Sequence, residues 1–409
     1  MIVGVPAETD PDEARVGLVP PVAAELVGDG FEVCVQSDAG TRADWSDSDY
    51  REAGCEVLGD REAVFERADI VVHVNGLGAT AEDDLALYRE GQIVVGLLGP
   101  YDLDGELNEL ADRGTTAFAL ELMPRISRAQ SMDALSSMSS IGGYRSAIVA
   151  AERLPKMFPL QMTAAGTVQP AEVFVIGAGV AGLQAIATAE RLGASVRAYD
   201  IRLEVREEVQ SLGADFVELD LETEGSGDEE GYAREMDEEF LRQQRKELTR
   251  VVGESDVVIT TAAIPGKPAP ELVTEGMVDG MDPGSVIVDL SAATGGNCEL
   301  TVPDETIDHG GVEIYGPTNL PATVTHHASQ LYSNNVRNFI RNMFEGEDRT
   351  LDLDDEIVDS TMLTHGGEVR WVHPADRGED GGSDGGSGAS DDEGSDAEGV
   401  GEPEAGTDD

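Results

Sequence analysis

Short apolar runs alternate with amphipathic stretches along this chain, and that rhythm predicts strand, helix, strand, helix. In the first 125 residues the apolar runs fall at 2–5, 31–36, 69–74, 92–97 and 116–121. They are short, continuous and mostly β-branched, the pattern of strands buried on both faces. Helical patterns such as Pro20–Gly28 and Asp60–Glu66 lie between them. This order predicts an α/β domain with a largely parallel sheet. A helix-forming stretch at roughly 131–155 follows, long enough to join two domains. A second series then runs to about 324, with strands expected at 173–176, 195–199, 256–262, 285–290 and 312–316. The helix pattern near 327–344 and the segment 351–375 come too late for that sheet. They are expected to return to the first domain and make it discontinuous.

The second series opens on Gly177-Ala-Gly-Val-Ala-Gly182, between the apolar run Val173-Phe-Val-Ile176 and a helix pattern that Gly193 stops. Gly177 permits a tight turn, Gly179 lets backbone N–H groups approach a pyrophosphate, and Gly182 lets helix and strand pack closely. The helix N-terminus, through Ala178 and Val180, adds partial positive charge for the phosphates. The next strand, 195–199, ends at Asp200, 18 residues after Gly182. A carboxylate there accepts hydrogen bonds from a ribose diol and repels a 2′-phosphate; Arg202 beside it would instead accommodate one. The fingerprint predicts a bound dinucleotide. The expected fold class is α/β, two Rossmann-like domains with parallel sheets joined by long helices, with a cleft between them. The expected divisions are 1–130 plus 325–375, a linker region 131–164, a nucleotide domain 165–324, and a tail 376–409.

The first domain carries no glycine fingerprint, so it should form the second wall of the site. Just before the linker helix stands Arg125-Ile-Ser-Arg-Ala-Gln130-Ser-Met-Asp133-Ala-Leu-Ser136, after the strand end Phe118-Ala-Leu-Glu-Leu122. Gln130, Asp133 and Ser136 recur every three residues and so share one side of a helical turn. A guanidinium fork, an amide and a carboxylate on one loop suit a ligand with an amide and hydroxyls, such as nicotinamide riboside. The same residue types also serve as helix caps and solvated surface.

Composition narrows the partners. The net charge is −55, with 82 acids against 27 bases, and only Lys156, Lys246 and Lys267 are lysine. The acids run through the whole chain. That suits a protein kept soluble in concentrated salt, where screening removes self-repulsion; an acidic protein of ordinary cytosol is the other reading. No basic stripe exists, which excludes nucleic acid as a partner. Cys34, Cys55 and Cys298 are scattered and odd in number, as reduced thiols are. The six histidines show no metal-ligand spacing, and His326-His327 reads as a polar pair at a helix start. The N-terminus shows no signal peptide and no apolar run reaches the ~18–20 residues that cross a bilayer. A soluble chain that can dock on a membrane partner is expected. Residues 221–240, around Glu230-Gly-Tyr232, are Glu-, Gly- and Ser-rich, which reads as disorder or a functional lid. From Gly378 the chain has twelve acids and no base, and such a segment is expected to be disordered.

The 125–137 segment resembles the nicotinamide-binding loop of the NAD(H)-binding α subunit of proton-translocating NAD(P) transhydrogenase. The resemblance extends to Met162-Thr-Ala-Ala-Gly-Thr167, the fingerprint through Leu183-Gln-Ala-Ile-Ala-Thr-Ala189, and Gly231-Tyr-Ala-Arg-Glu-Met236. It also takes in Ile264-Pro-Gly-Lys-Pro-Ala-Pro270 and Gly295-Gly-Asn-Cys298, and covers about residues 1–375. It implies that Arg125, Gln130 and Asp133, with Ser136, position the nicotinamide and its ribose. Gly177, Ala178, Gly179, Val180, Gly182 and Ala263 would line the dinucleotide, Asp200 and Arg202 would face the adenosine ribose, and Tyr232 would ride on a loop that closes over it. It further implies a homodimer, NADP(H) on a partner subunit, a membrane proton-channel subunit, and a cytoplasmic position on the inner face of the membrane.

Alanine dehydrogenase shares this two-domain plan and is the nearest rival. Arg15, in Ala14-Arg-Val-Gly-Leu18, matches the arginine of its substrate clamp. Its other groups are missing: Val72-His-Val-Asn75 lacks the lysine, Val95-Gly-Leu-Leu-Gly-Pro100 lacks the histidine, and Ser291-Ala-Ala-Thr294 lacks the aspartate. Many transhydrogenases carry an acid near Ala293, so this stretch departs from both. Hydride transfer between two nicotinamides requires positioning and exclusion of water rather than an acid or base. A non-catalytic NAD-sensing module is the third reading.

Overall fold

Apolar strands with no polar alternation bury both faces, and two sheets result. The computed structural model describes residues 1–77, 84–103, 105–218, 238–345 and 349–374. In the first half of the chain the strands are β1 (Ile2–Val5), β2 (Glu32–Gln36), β3 (Glu56–Leu58), β4 (Ile70–Asn75), β5 (Ile93–Leu97) and β6 (Thr116–Ala119). A hairpin follows, β7 (Gln161–Thr163) and β8 (Gly166–Val168). The second series is β9 (Glu172–Ile176), β10 (Ser195–Tyr199), β11 (Asp215–Phe216), β12 (Val257–Thr260), β13 (Val286–Asp289), β14 (Thr306–His309) and β15 (Val312–Tyr315). The described chain ends with a short pair, β16 (Phe344–Glu345) and β17 (Thr350–Leu351), and then β18 (Met362–His365) and β19 (Glu368–Val369).

The first sheet has the order β19-β18-β6-β5-β4-β1-β2-β3, and the second β11-β10-β9-β12-β13-β15-β14. Pairing is parallel except at β18–β19, β18–β6 and β14–β15. The late strands β18 and β19 thus lie on the first sheet. The helix Thr325–Asn342 does too: Tyr332, Val336 and Phe339 sit in its core. Its Ser329 and Ser333 hydroxyls accept the N–H groups of Val16 and Val19 at 3.1 and 2.9 Å. Each sheet has one switch point, where the chain leaves a central strand for opposite sides: β1, between β2 and β4, and β9, between β10 and β12. Ligands of doubly wound sheets sit in such crevices.

The helix Ala134–Arg153 joins the two halves physically. Ala134, Met138 and Ile141 belong to the core of the first sheet, whereas Ala147 and Ala150 belong to that of the second. The change falls at Gly142-Gly143. A Cβ on Gly143 would stand 2.0 Å from the Ala181 carbonyl oxygen, so this helix crosses the next one, Val180–Arg191, backbone to backbone. Residues Met1–Trp371 form one compact unit.

Several expectations need adjustment. The 116–121 strand stops at Ala119, and Leu120–Leu122 is a single three-ten turn because the Glu121 carboxylate turns back to accept the Gly99 N–H at 2.7 Å. The helix expected from 131 begins at 134, preceded by a three-ten segment, Ser127–Met132. The last residues of the 221–240 run open a helix, Glu238–Gly253; the rest of that run, with Tyr232, and the tail from 375 lie outside the described residues. All three cysteines are free and buried. Among the described residues no helix is long and apolar enough to cross a membrane.

Candidate functional site

The switch point of the second sheet is built from glycine. Gly177 has φ +97°, and a side chain there would meet the Thr261 hydroxyl at 2.6 Å. Gly182 sits against Gly177, its Cβ position 1.8 Å from the Gly177 carbonyl oxygen. Strand end and helix start therefore touch with no room for a methyl. Gly179 differs: it is the N-cap, its φ is ordinary, and a Cβ there would find no atom within 4 Å. That open space, lined by the first turn of a twelve-residue helix, fits a pyrophosphate held by backbone N–H groups. Val180 faces solvent here, 47 % exposed, and Ala178 is buried.

Asp200 closes the adjacent strand and is 7 % exposed. Its carboxylate accepts the Ala178 N–H at 2.7 Å and the Arg202 N–H at 2.8 Å. The Arg202 guanidinium pairs with both of its oxygens at 3.1 Å. Burial alone would raise the pKa of Asp200, but the Arg202 bonds and the two backbone N–H groups hold it below the usual carboxylate range. The carboxylate is charged and bonded to the glycine turn through the Ala178 N–H, and the Arg202 guanidinium engages both of its oxygens.

The 125–136 segment leads into the long helix that crosses the fingerprint helix. Asp133 caps the long helix, accepting the Ser136 N–H at 2.8 Å and its hydroxyl at 2.5 Å. Arg125 and Gln130 are exposed, and among the described residues neither side chain makes a hydrogen bond or ion pair. Residues not singled out in the sequence hold this segment. Arg128 pairs with Asp355 at 2.5 Å, and Asn335 and Asn338, one turn apart on Thr325–Asn342, both donate to the Ser131 carbonyl at 3.0 Å. Their partners lie more than 200 residues away, so no local pattern announces them. The Asp133–Ser136 cap lies seven to ten residues from Gly143, about 10–15 Å along the helix from its crossing with the fingerprint helix.

The wall after β12 completes the cradle. Ala263 is exposed at its rim. The following turn closes with the Lys267 N–H on the Ile264 carbonyl at 3.1 Å. Gly266 in that turn presents its backbone to the Tyr101 ring, which would lie 2.7 Å from a Cβ. Tyr101 follows β5, so this contact bridges the two halves of the chain.

The switch point of the first sheet is filled instead. Glu8, just past β1, accepts the N–H groups of Val74 and Asn75 at 2.7 and 3.3 Å, stitching the end of β1 to that of β4. Burial of this carboxyl, with Glu13 nearby, pushes its pKa up to about 7 despite those bonds. Arg15 gives Nε and a terminal nitrogen to Glu13 at 2.7 and 2.5 Å. Glu13 also accepts from Asn75 and Asn319 at 2.9 and 3.0 Å. Burial raises the Glu13 carboxyl, and the Arg15 bonds overcome it and lower its pKa. His73 lies inside the core against the Tyr88 hydroxyl at 3.0 Å, and burial lowers its pKa to about 4.

Two doubly wound sheets, one with a filled switch point and one with a glycine turn and an acid closing the adjacent strand, define a Rossmann-type nucleotide-binding protein. The chain belongs to the alanine dehydrogenase/PNT family: the model of its N-terminal domain matches residues 4–142, and that of its C-terminal domain residues 146–372. An NAD(P) transhydrogenase subunit alpha polypeptide of Rhodospirillum rubrum is 45% identical over 380 residues, covering 92% of this chain and 98% of that one. The crystal structure of transhydrogenase from Sinorhizobium meliloti superposes with a TM-score of 0.81 at 41% identity, covering 90% of this chain and all of that one (100%). Alanine dehydrogenase of Mycobacterium tuberculosis is 30% identical over 377 residues, covering 90% of this chain and 94% of that one. These relatives place the chain among transhydrogenases within an oxidoreductase family.

Proposed function

We propose that this chain is the NAD(H)-binding subunit of a proton-translocating NAD(P) transhydrogenase. It would exchange hydride with NADP(H) held by a partner subunit, while a membrane subunit couples the exchange to proton movement. The contrast between the two switch points carries this reading. The second is open at Gly179 and flanked by Asp200, whereas the first is occupied by Glu8, Glu13 and Arg15. Bound NAD(H) would supply the hydride donor or acceptor. The Gly177–Gly182 turn would hold the pyrophosphate by N–H groups, and Asp200 would accept the ribose hydroxyls after Arg202 yields. Arg125, Gln130 and Asp133 would orient the nicotinamide, with Ser136 tying down the carboxylate. Hydride transfer needs the two C4 atoms within ~3–3.5 Å and water excluded, and asks for no acid or base.

In this reading the domains are 1–130 with 325–375, and 165–324, and Tyr232 belongs to the closing loop. The subunit names of the relatives favour a multi-subunit complex, which this proposal sets on the cytoplasmic face of the membrane. A homodimer accords with the β7–β8 hairpin, all of whose residues are exposed, Met162 by 75 %. The acidic surface accords with working in concentrated salt.

An alanine dehydrogenase needs a free guanidinium for the substrate carboxylate and acid/base groups beside it. Arg15 is engaged with Glu13, and Ser291–Thr294 offers no acid. The deciding experiment mixes this protein with an NADP(H)-binding component in high salt and follows reduction of an NAD analogue by NADPH. Exchange supports the proposal. NADH binding without exchange would favour the sensing module, and pyruvate-dependent NADH oxidation by this chain alone would favour the dehydrogenase.

A further inference from the structure

We propose that Asn297 is a positioning residue of the nucleotide site, setting the half of the cradle that receives the nicotinamide end; this rests on the NAD(H) reading above. Asn297 is fully buried and spends its whole side chain on one backbone segment. Its Oδ1 accepts the Ala262 N–H at 3.0 Å, and its Nδ2 donates to the carbonyls of Ala262 and Pro270, each at 2.8 Å. The Ala262 peptide is thus gripped on both sides, and the Ser291 hydroxyl adds a bond to the same carbonyl at 2.9 Å. Asn297 is itself held by Asp289 at the end of β13. That carboxylate accepts the N–H groups of Asn297 and Cys298 at 2.7 and 3.0 Å, and the hydroxyls of Thr260 and Thr301 at 2.8 and 2.7 Å. Gly296 turns at φ +84° immediately before, its Cβ position 2.8 Å from the Asp289 carboxylate.

What Asn297 holds is part of the cradle. The Ala262 nitrogen would stand 3.2 Å from a Cβ on Gly177, so it packs on the glycine turn itself. Beyond it the chain runs through Ala263 to the turn that touches Tyr101 across the cleft. Asp200 lies past β10 and Ala262 past β12, on opposite sides of the switch point. A dinucleotide with its adenosine ribose on Asp200 must lay its other half over Ala262. Loss of the amide leaves the partly buried Ala262 N–H and Pro270 carbonyl without a partner, while the Ala262 carbonyl keeps only the Ser291 hydroxyl, and the segment relaxes to regain them. The effect should therefore fall on one half of the ligand.

The test compares wild type, Asn297→Ala and Asn297→Asp by titration with NADH, read from nicotinamide fluorescence, and with 5′-AMP, which carries only the adenosine half. Asn297→Ala should raise the Kd of NADH tenfold or more and leave that of 5′-AMP within twofold. Asn297→Asp keeps the acceptor for the Ala262 N–H but turns a carboxylate oxygen toward two carbonyls. Asp289 and Cys298 are the titratable neighbours of that position, and burial beside the Asp289 charge raises the pKa of a carboxyl placed there. Its protonation returns one donor, so NADH affinity of Asn297→Asp should recover toward wild type as pH falls from 8 to 6. Equal losses for both ligands, an unchanged NADH Kd, or an Asn297→Asp defect that ignores pH would overturn the positioning role. Wild type that binds 5′-AMP but not NADH would overturn the NAD(H) reading instead.

Discussion

The two glycines in the middle of the spanning helix predict opposite responses to the same substitution. In a helix interior, Gly→Ala stabilises by roughly 0.5–1 kcal/mol because alanine restricts the unfolded chain and favours the helix. Gly142 has no atom within 4 Å of its Cβ position, so Gly142→Ala should deliver that gain in full. At Gly143 the new methyl would stand 2.0 Å from the Ala181 carbonyl oxygen, 2.8 Å from its carbon and 2.9 Å from its Cα. These are backbone atoms of the fingerprint helix, so no rotamer change relieves them. The two helices must part by roughly 1 Å or more to reach ordinary contact distance. Overpacking of this kind costs about 1–3 kcal/mol, and a clash with rigid backbone belongs at the upper end. With the propensity gain subtracted, Gly143→Ala should destabilise by about 2 kcal/mol and differ from Gly142→Ala by nearly 3 kcal/mol. Urea unfolding at fixed high salt reads this as midpoints displaced to opposite sides of wild type. Ala181 lies in the first turn of the fingerprint helix, so Gly143→Ala should also weaken NADH binding, and Gly142→Ala should not. If both variants gain stability, close backbone contact is not what places glycine at 143.

Gly179→Ala should leave the unfolding midpoint within about 0.5 kcal/mol of wild type, since its conformation suits any residue and its surroundings are open. Its methyl would enter the phosphate space, so NADH affinity should fall tenfold or more; unchanged affinity would move the pyrophosphate elsewhere. Gln130→Ala should keep NADH affinity nearly intact and slow hydride exchange at least tenfold, and an unchanged exchange rate would remove that side chain from the mechanism. Glu8 carries a folded-state pKa near 7 against a reference of 4.5. Its proton therefore favours the folded state fully below pH 4.5, and this contribution is lost as pH rises through 7. Glu8→Gln should remove that loss, so the variant gains on wild type by at most ~1.4 kcal/mol per pH unit between pH 5 and 7; parallel stability profiles would exclude Glu8 as their source.

Strands buried on both faces announce themselves by apolar runs, and β1, β2, β4, β5, β9, β10, β12, β13 and β15 lie within a residue or two of where those runs fall. The pattern fails where burial is partial or absent. Strand β3 has three residues and none is buried, the β7–β8 hairpin is wholly exposed, and β14 alternates without a buried position. The helix Glu238–Gly253 follows a Glu- and Gly-rich run that hides its start. At the site, the glycines are legible because their spacing is local. Asn297 is not: it acts on backbone atoms 27 and 35 residues away, and an asparagine after two glycines reads as an ordinary turn. The same holds for Asn335 and Asn338, whose target carbonyl is 204 and 207 residues off. Asp133 is legible in type yet ambiguous in role, because the carboxylate proposed to orient the nicotinamide also caps a helix.

The spanning helix also determines how the molecule can come apart. Its first half finishes one core and its second half the other, and the two family domains meet between residues 142 and 146, inside it. A cut there leaves each fragment with half a helix too short to persist in water and with apolar residues that have lost their cover. Neither half is then an autonomous folding unit, and the two sheets should melt in a single cooperative transition.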